Sequence, residues 1–167
     1  MSTHAVLIGL GANLPSRAGE PQDTIRAALA ELVAGGIRIR RTSSFYRTPA
    51  WPDPADPDFV NAVASAETIL SSRGLMDLLH KTETAFGRTR SARNAPRTLD
   101  LDLLDFDRLA RVGPPELPHP RMASRAFVLV PLAEIAPHWR HPVLGHTAEE
   151  LRAALPAGEV AAITRLR

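Results

Sequence analysis

Apolar positions along the chain fall into stretches of alternation, stretches of helical spacing and a few breaks. His4 to Leu10 is almost wholly apolar and reads as a buried first strand, closed by Gly9, Gly11 and Asn13 in a turn. From Asp23 to Val33, Ile25, Ala28, Leu29 and Leu32 recur at helical intervals, and Gly35-Gly36 supplies a stop. Ile37 to about Arg47 alternates and predicts a second strand. Thr48 to Asp58 carries four prolines and three acids, which no regular element tolerates, so it predicts an exposed loop.

Phe59 to Ile69 resumes the strand rhythm, with Phe59, Asn61, Val63 and Ser65 on one parity and Val60, Ala62 and Ala64 on the other. Arg73 to Phe86 is a second helix, ended by Gly87. Leu99 to Phe106 is an apolar strand punctuated by acids. Past Pro114-Pro115, Phe127 to Ile135 reads as a buried helix, and Thr147 to Leu155 as a last one. The order β-α-β-β-α-β predicts an α+β fold: a ferredoxin-like antiparallel sheet with added C-terminal helices, three layers deep. No repeat or linker divides residues 1–167, so one domain is expected.

Composition narrows the classes without choosing among them. Hydrophobic residues make up 44% of the 167, too many for a disordered chain. No apolar run reaches the roughly 18 residues of a membrane span, and Met1-Ser2-Thr3-His4 does not resemble a secretory leader. With no cysteine, disulfides and thiolate metal sites are excluded, and a cytoplasmic protein is the expectation. Net charge is +2 while the pI is about 9.9, because Lys81 is the only lysine among 20 basic residues. Basicity of that origin is poor grounds for expecting a nucleic-acid partner.

The chemistry concentrates between residues 88 and 102. On a strand Asp100 and Asp102 project to one face, opposite Leu99, Leu101 and Leu103. Two carboxylates that close need a cation: Mg²⁺, which completes its shell with water and phosphate oxygens, or a neutralising arginine. Arg88, Arg90, Arg93 and Arg97 stand just upstream, each with a planar fork suited to phosphate. A solvated basic loop or an RNA contact answers the arginines alone. Arginines beside metal-binding acids suit a nucleotide triphosphate carrying Mg²⁺. A Walker lysine motif is missing, and Gly9-Leu10-Gly11-Ala12-Asn13-Leu14 lacks the third glycine of a dinucleotide loop. Asp105 falls by parity among the core leucines, which requires either a bulge or a strand that ends near Leu104.

Seven segments, in order, resemble the 6-hydroxymethyl-7,8-dihydropterin pyrophosphokinase family. They are Gly9–Leu14, Ser43–Pro49, Phe59–Ala62, Gly87–Arg90, Arg97–Asp102 after Pro96, Pro118–Met122, and Arg125–Phe127 leading to Pro131-Leu132. The likeness runs from about residue 5 to 137.

The resemblance implies transfer of a diphosphate from ATP to a pterin alcohol, with AMP as the leaving group, in folate synthesis. It assigns two Mg²⁺ ions to Asp100 and Asp102. It gives ATP contacts to His80, Glu83, Arg88, Arg90, Arg97, Leu103, His119 and Arg125, with Arg88 and Arg90 counted as catalytic. The pterin would lie between Phe59 and Phe127, read by Asn61, with Thr48, Pro49 and Trp51 in the loop beside it. No nucleic-acid or membrane partner is implied, and a monomer is expected. The chain departs from the family where Asn94 and Ala95 replace a tryptophan and a glycine, one residue is missing between Arg90 and Pro96, and Pro114, Pro115, Glu116 and Pro120 alter the later loop. A ferredoxin-like RNA-binding module, or a family member that binds without turnover, are the alternatives.

Overall fold

The computed structural model describes residues 2–89 and 96–167. The expectations for Arg90, Arg93, Asn94 and Ala95 therefore lie outside the described residues. Along the chain run β1 (His4–Ala12), α1 (Pro21–Ala34), β2 (Arg38–Thr42), β3 (Tyr46–Thr48), β4 (Phe59–Thr68), α2 (Ser72–Ala85) and β5 (Asp100–Phe106). A short 3₁₀ turn (Met122–Ser124), α3 (Ala126–Ile135), α4 (Ala148–Ala153), α5 (Ala157–Ala161) and β6 (Thr164–Arg165) follow. The strands form one antiparallel sheet in the order β5-β1-β4-β3-β6, with β2 also paired to β4.

Each face of the sheet buries its own core. Val6, Ile8 and Leu10 of β1, with Leu101 and Leu103 of β5, pack against Ile25 and Leu32 of α1 and Leu75 and Leu79 of α2. On the other face Leu7, Val63 and Leu104 meet Val128, Leu129 and Leu132 of α3 and Leu151 of α4. Each fully buried leucine contributes about 1.5–3 kcal/mol. The result is the α+β, three-layer arrangement that the element order implied. Local chemistry sets the helix ends: Glu20 and Asp23 close a capping box around α1, with Pro21 in its first turn, and Ser71 caps α2 by accepting the Gly74 N–H.

Several boundaries differ from expectation, each for a tertiary reason. Gly9 and Gly11 lie inside β1 rather than in a turn after it. The single strand expected over residues 37–47 is two, because Ser43 and Ser44 turn their bonds elsewhere. Ser43 Oγ accepts the Val63 N–H at 3.0 Å, and the Ser44 N–H and hydroxyl both reach Glu134 on α3. The last helix stops at Ala153, and α5 and β6 follow it.

Asp105 resolves into a bulge. Ile8 faces Leu103 and Leu7 faces Asp105, so Leu104 is the extra residue on β5 and the alternation resets there. Leu104 then packs in the α3 core while Phe106 returns to the other. Asp105 is 3% exposed and accepts the Arg108 N–H at 3.2 Å through Oδ2. Burial raises its pKa; the backbone bond from Arg108 and the nearby Trp139 indole draw it back, though Oδ1 and the indole nitrogen stop short of hydrogen-bond geometry.

Candidate active site

Asp100 and Asp102 lie opposite Gly11 and Gly9 in the β1–β5 register. Neighbours without side chains leave the sheet open beside both carboxylates. A recess of about 20 Å³ results, bordered by both acids, by Gly9 and Gly11, and by Asn61 and Phe127. That space suits one ion or one water. The second glycine has a further reason: a Cβ at Gly11 would stand 2.7 Å from Asn61 Oδ1.

The two acids are held differently. Arg88 Nη1 donates to Asp100 Oδ1 at 2.5 Å, to Glu83 Oε2 at 3.0 Å and to the Leu99 carbonyl at 3.1 Å. Arg97 Nη1 stands 3.4 Å from Asp100 Oδ2. Asp102 makes no ion pair among the described residues. Burial, and then the negative charge of Asp100, push its pKa up to about 7, against the pull of Arg125. One acid is thus neutralised by arginine, as the bland sequence alternative had it, while the other still wants a cation. Among the described residues no third His, Cys, Asp or Glu joins them. A two-carboxylate set fits Mg²⁺, which keeps water and takes phosphate for its remaining ligands.

Glu83 ties this corner together. It is 3% exposed, and its Oε2 accepts both Arg88 and the N–H of Leu101, the residue between the two acids. Arg97 is fixed through its backbone: its N–H donates to Asn13 Oδ1 at 2.8 Å, and its carbonyl accepts the N–H groups of Asn13 and Leu14. The Asn13 amide also donates to Pro57, so one side chain sets the arginine and the proline-rich loop together.

Beside the acids opens a cavity of about 310 Å³. Phe59, Phe127 and Trp51 supply its flat apolar surfaces, and Thr48, Pro49 and Asn61 its rim. Asn61 Nδ2 donates to Thr48 Oγ1 at 2.7 Å, both residues being buried, so the amide has one orientation. Asp100, Arg97, Arg121 and Arg125 border the opposite side. The cavity's flat apolar surfaces and amide rim suit a planar heterocycle with an amide-like edge, and the Asp100 carboxylate stands at its border.

His119 completes the site from the loop before the 3₁₀ turn. Its N–H donates to the Leu104 carbonyl, and its Nδ1 accepts the Arg121 N–H at 3.2 Å, which leaves Nε2–H as the free donor. Burial and then Arg125 lower its pKa, keeping the ring neutral. Arg125 sits 5.3 Å from the Phe127 ring centroid, and burial lowers its pKa as well.

Thr48, Pro49, Trp51, Phe59, Asn61, Arg97, Asp100, Arg125 and Phe127 therefore share one cavity, with Asp102 adjoining it. Trp51 is 72% exposed at its mouth. Two expected nucleotide contacts stand apart. His80 is exposed on α2 although Glu83, one turn on, is buried. Leu103 is 4% exposed in the core against α1 and α2, on the face away from the acids. Sequence reading assigned Gly11 and Asn13 only a turn after the first strand and gave Arg121 no role. All three lay within the family-like motifs, but only the folded register gives Gly11 and Asn13 their partners.

Residues 7–137 match the family model described as 7,8-dihydro-6-hydroxymethylpterin-pyrophosphokinase (HPPK). The chain is 42% identical over 150 residues to the 2-amino-4-hydroxy-6-hydroxymethyldihydropteridine pyrophosphokinase of Synechocystis sp., covering 89% of this chain and 74% of that protein. It is 39% identical over 155 residues to the Methylorubrum extorquens protein of the same name, covering 90% and 94%. Among solved structures, Plasmodium falciparum HPPK-DHPS, a triple mutant with pteroate, superposes with a TM-score of 0.74 at 12% identity. That match covers 98% of this chain but only 47% of the larger one, and it bears on the fold alone.

Proposed function

Since the chain belongs to the 7,8-dihydro-6-hydroxymethylpterin-pyrophosphokinase family and is a pyrophosphokinase of folate synthesis, we propose that ATP donates its terminal diphosphate to the hydroxymethyl group of 6-hydroxymethyl-7,8-dihydropterin in the cleft described above. The hydroxymethyl oxygen bonds to the β-phosphorus, the bond from that phosphorus to the α,β-bridging oxygen breaks, and AMP leaves. The hydroxyl proton goes to solvent or a neighbouring base. Such a transfer asks the protein for positioning and charge rather than for a covalent intermediate.

The acceptor is held as a flat ring between Phe59 and Phe127, its amide edge met by Asn61. Thr48 fixes Asn61, so that edge is recognised by a group already oriented. Asp100 and Asp102 would hold two Mg²⁺ ions, which when bound neutralise the phosphate oxygens and polarise the phosphorus. Arg88 and Arg97, now paired with Asp100, would offer their forks to phosphate oxygens. His119 offers Nε2–H from the later loop, and Arg125 faces Asp102. Arg90 is assigned by the family likeness alone. We read residues 1–167 as one catalytic unit, because both cores are built on the same sheet.

The observation that carries this reading is the small recess where two carboxylates face two glycines, opening beside an aromatic cavity. Purified protein given ATP, Mg²⁺ and the pterin alcohol is expected to release AMP. Release of ADP instead would make it an ordinary kinase and overturn the reading.

A further inference from the structure

The cavity that takes the acceptor is lined by three guanidinium groups and one carboxylate. Two of the cations have occupations. Arg97 is paired with Asp100, and Arg125 lies over Phe127 and faces Asp102. Arg121 is exposed, and among the described residues its guanidinium makes no ion pair, side-chain hydrogen bond or ring contact. Only its backbone is engaged, donating to His119 and accepting from Ser124.

Its surroundings are repulsive. Burial is the main cause that lowers the pKa of His119 and of Arg125, and the charge of Arg121, which lines the same cavity as Arg125, adds a smaller repulsion. An unpaired guanidinium at a cavity wall that holds two other guanidinium groups is stabilised when an anion arrives. The acceptor alcohol is uncharged and has no use for it. Before transfer the triphosphate meets Arg88 and Arg97; once the diphosphate is joined to the acceptor, its charge stands beside the ring-binding residues.

We propose that Arg121 holds the transferred diphosphate on the acceptor side of the cleft, and so distinguishes the anionic ester from the neutral alcohol. This rests on the function proposed above. Arg121 contacts the group only as it arrives, which favours the late part of the transfer and retains the product after AMP has gone. A free guanidinium joined to a diphosphate oxygen forms a charge-assisted pair, worth roughly tenfold in affinity or more.

The test compares two ligands on three proteins. Equilibrium binding of the fully oxidised pterin alcohol and of its diphosphate ester is measured on the wild type, Arg121→Gln and Arg121→Lys, with AMP release assayed in parallel. Alcohol affinity is expected to stay within about twofold in all three, as Arg121 makes no contact with a neutral ligand. Ester affinity is expected to fall roughly tenfold or more in Arg121→Gln and to recover largely in Arg121→Lys. Equal losses for both ligands would mean a structural role, and unchanged ester affinity in Arg121→Gln would mean no role; either sinks the inference. A wild type that binds neither ligand, or forms ADP, fails the underlying function instead.

Discussion

The two sides of the cleft are built from different materials. On the acceptor side, Thr48, Phe59 and Asn61 stand on paired strands, and Asn61 is locked by a 2.7 Å bond to Thr48. On the nucleotide side, Arg88, Arg97 and His119 come from connections between elements, and the two arginines are paired with Asp100. Strands give a shape that exists before the ligand. Loops give charge that can be reassigned when the ligand comes. A neutral ring needs the first, and a polyphosphate with its metals needs the second.

The sharpest way to break this contrast is at the acids. Asp100→Asn and Asp102→Asn should each lower kcat roughly 10³-fold, measured as AMP release. The two should differ in stability. Asp102 has a folded pKa near 7, above the ordinary carboxylate value, so its contribution is fullest at low pH and is lost as pH rises through 7. Metal-free Asp102→Asn should therefore melt a few degrees higher than the wild type at pH 8, roughly 2–4 °C for each kcal/mol regained. Asp100→Asn, which strands Arg88, should melt lower.

On the acceptor side, Gly11→Ala should act through the Asn61 amide. Its Cβ would meet Asn61 Oδ1 at 2.7 Å and push the amide off Thr48. Pterin-alcohol affinity should drop roughly tenfold, the size of one or two lost hydrogen bonds, and by more than Mg²⁺–ATP affinity does. Equal loss of both affinities would show that the sides are not independent.

A smaller effect comes from pH. A proton on Asp102 competes with metal, so Mg²⁺ affinity in the presence of a non-hydrolysable ATP analogue should strengthen between pH 6 and pH 8, by up to about tenfold. Calorimetry at the two values checks it. Alcohol binding should show no such trend. Smallest of all for catalysis is Tyr46→Phe. The Tyr46 hydroxyl donates to Glu134 at 2.5 Å and, chiefly through burial, has its pKa pushed up to about 12. Its loss should cost about 1–2 kcal/mol in denaturant unfolding and leave turnover alone.

What could be read from the chain follows the same division. Alternation alone put Asp100 and Asp102 on one face, because strand periodicity is local and survives any tertiary setting. The same rule failed at Asp105, since the bulge that moves it depends on how β1 and β5 register. The break between β2 and β3 was equally hidden: Ser44 is drawn off by Glu134, ninety residues away in sequence. Helical spacing put His80 and Glu83 on one side of α2, yet the burial boundary passes between them. The likeness to a family supplied the acceptor residues, all of which the fold brings together. It gave Arg121 no role, for a cation without a partner announces itself only when its neighbours are in place.

The strand that bears the acids also forms one edge of the sheet. Bare outer strands recruit other chains, but here the hydrogen-bonding groups of Leu99, Leu101 and Leu104 are taken by Arg88, Glu83 and the His119 amide. The machinery of the cleft thus doubles as a guard rail against fibril-like stacking. Substitutions at Glu83 or Arg88 should be watched for insolubility as well as for slow turnover.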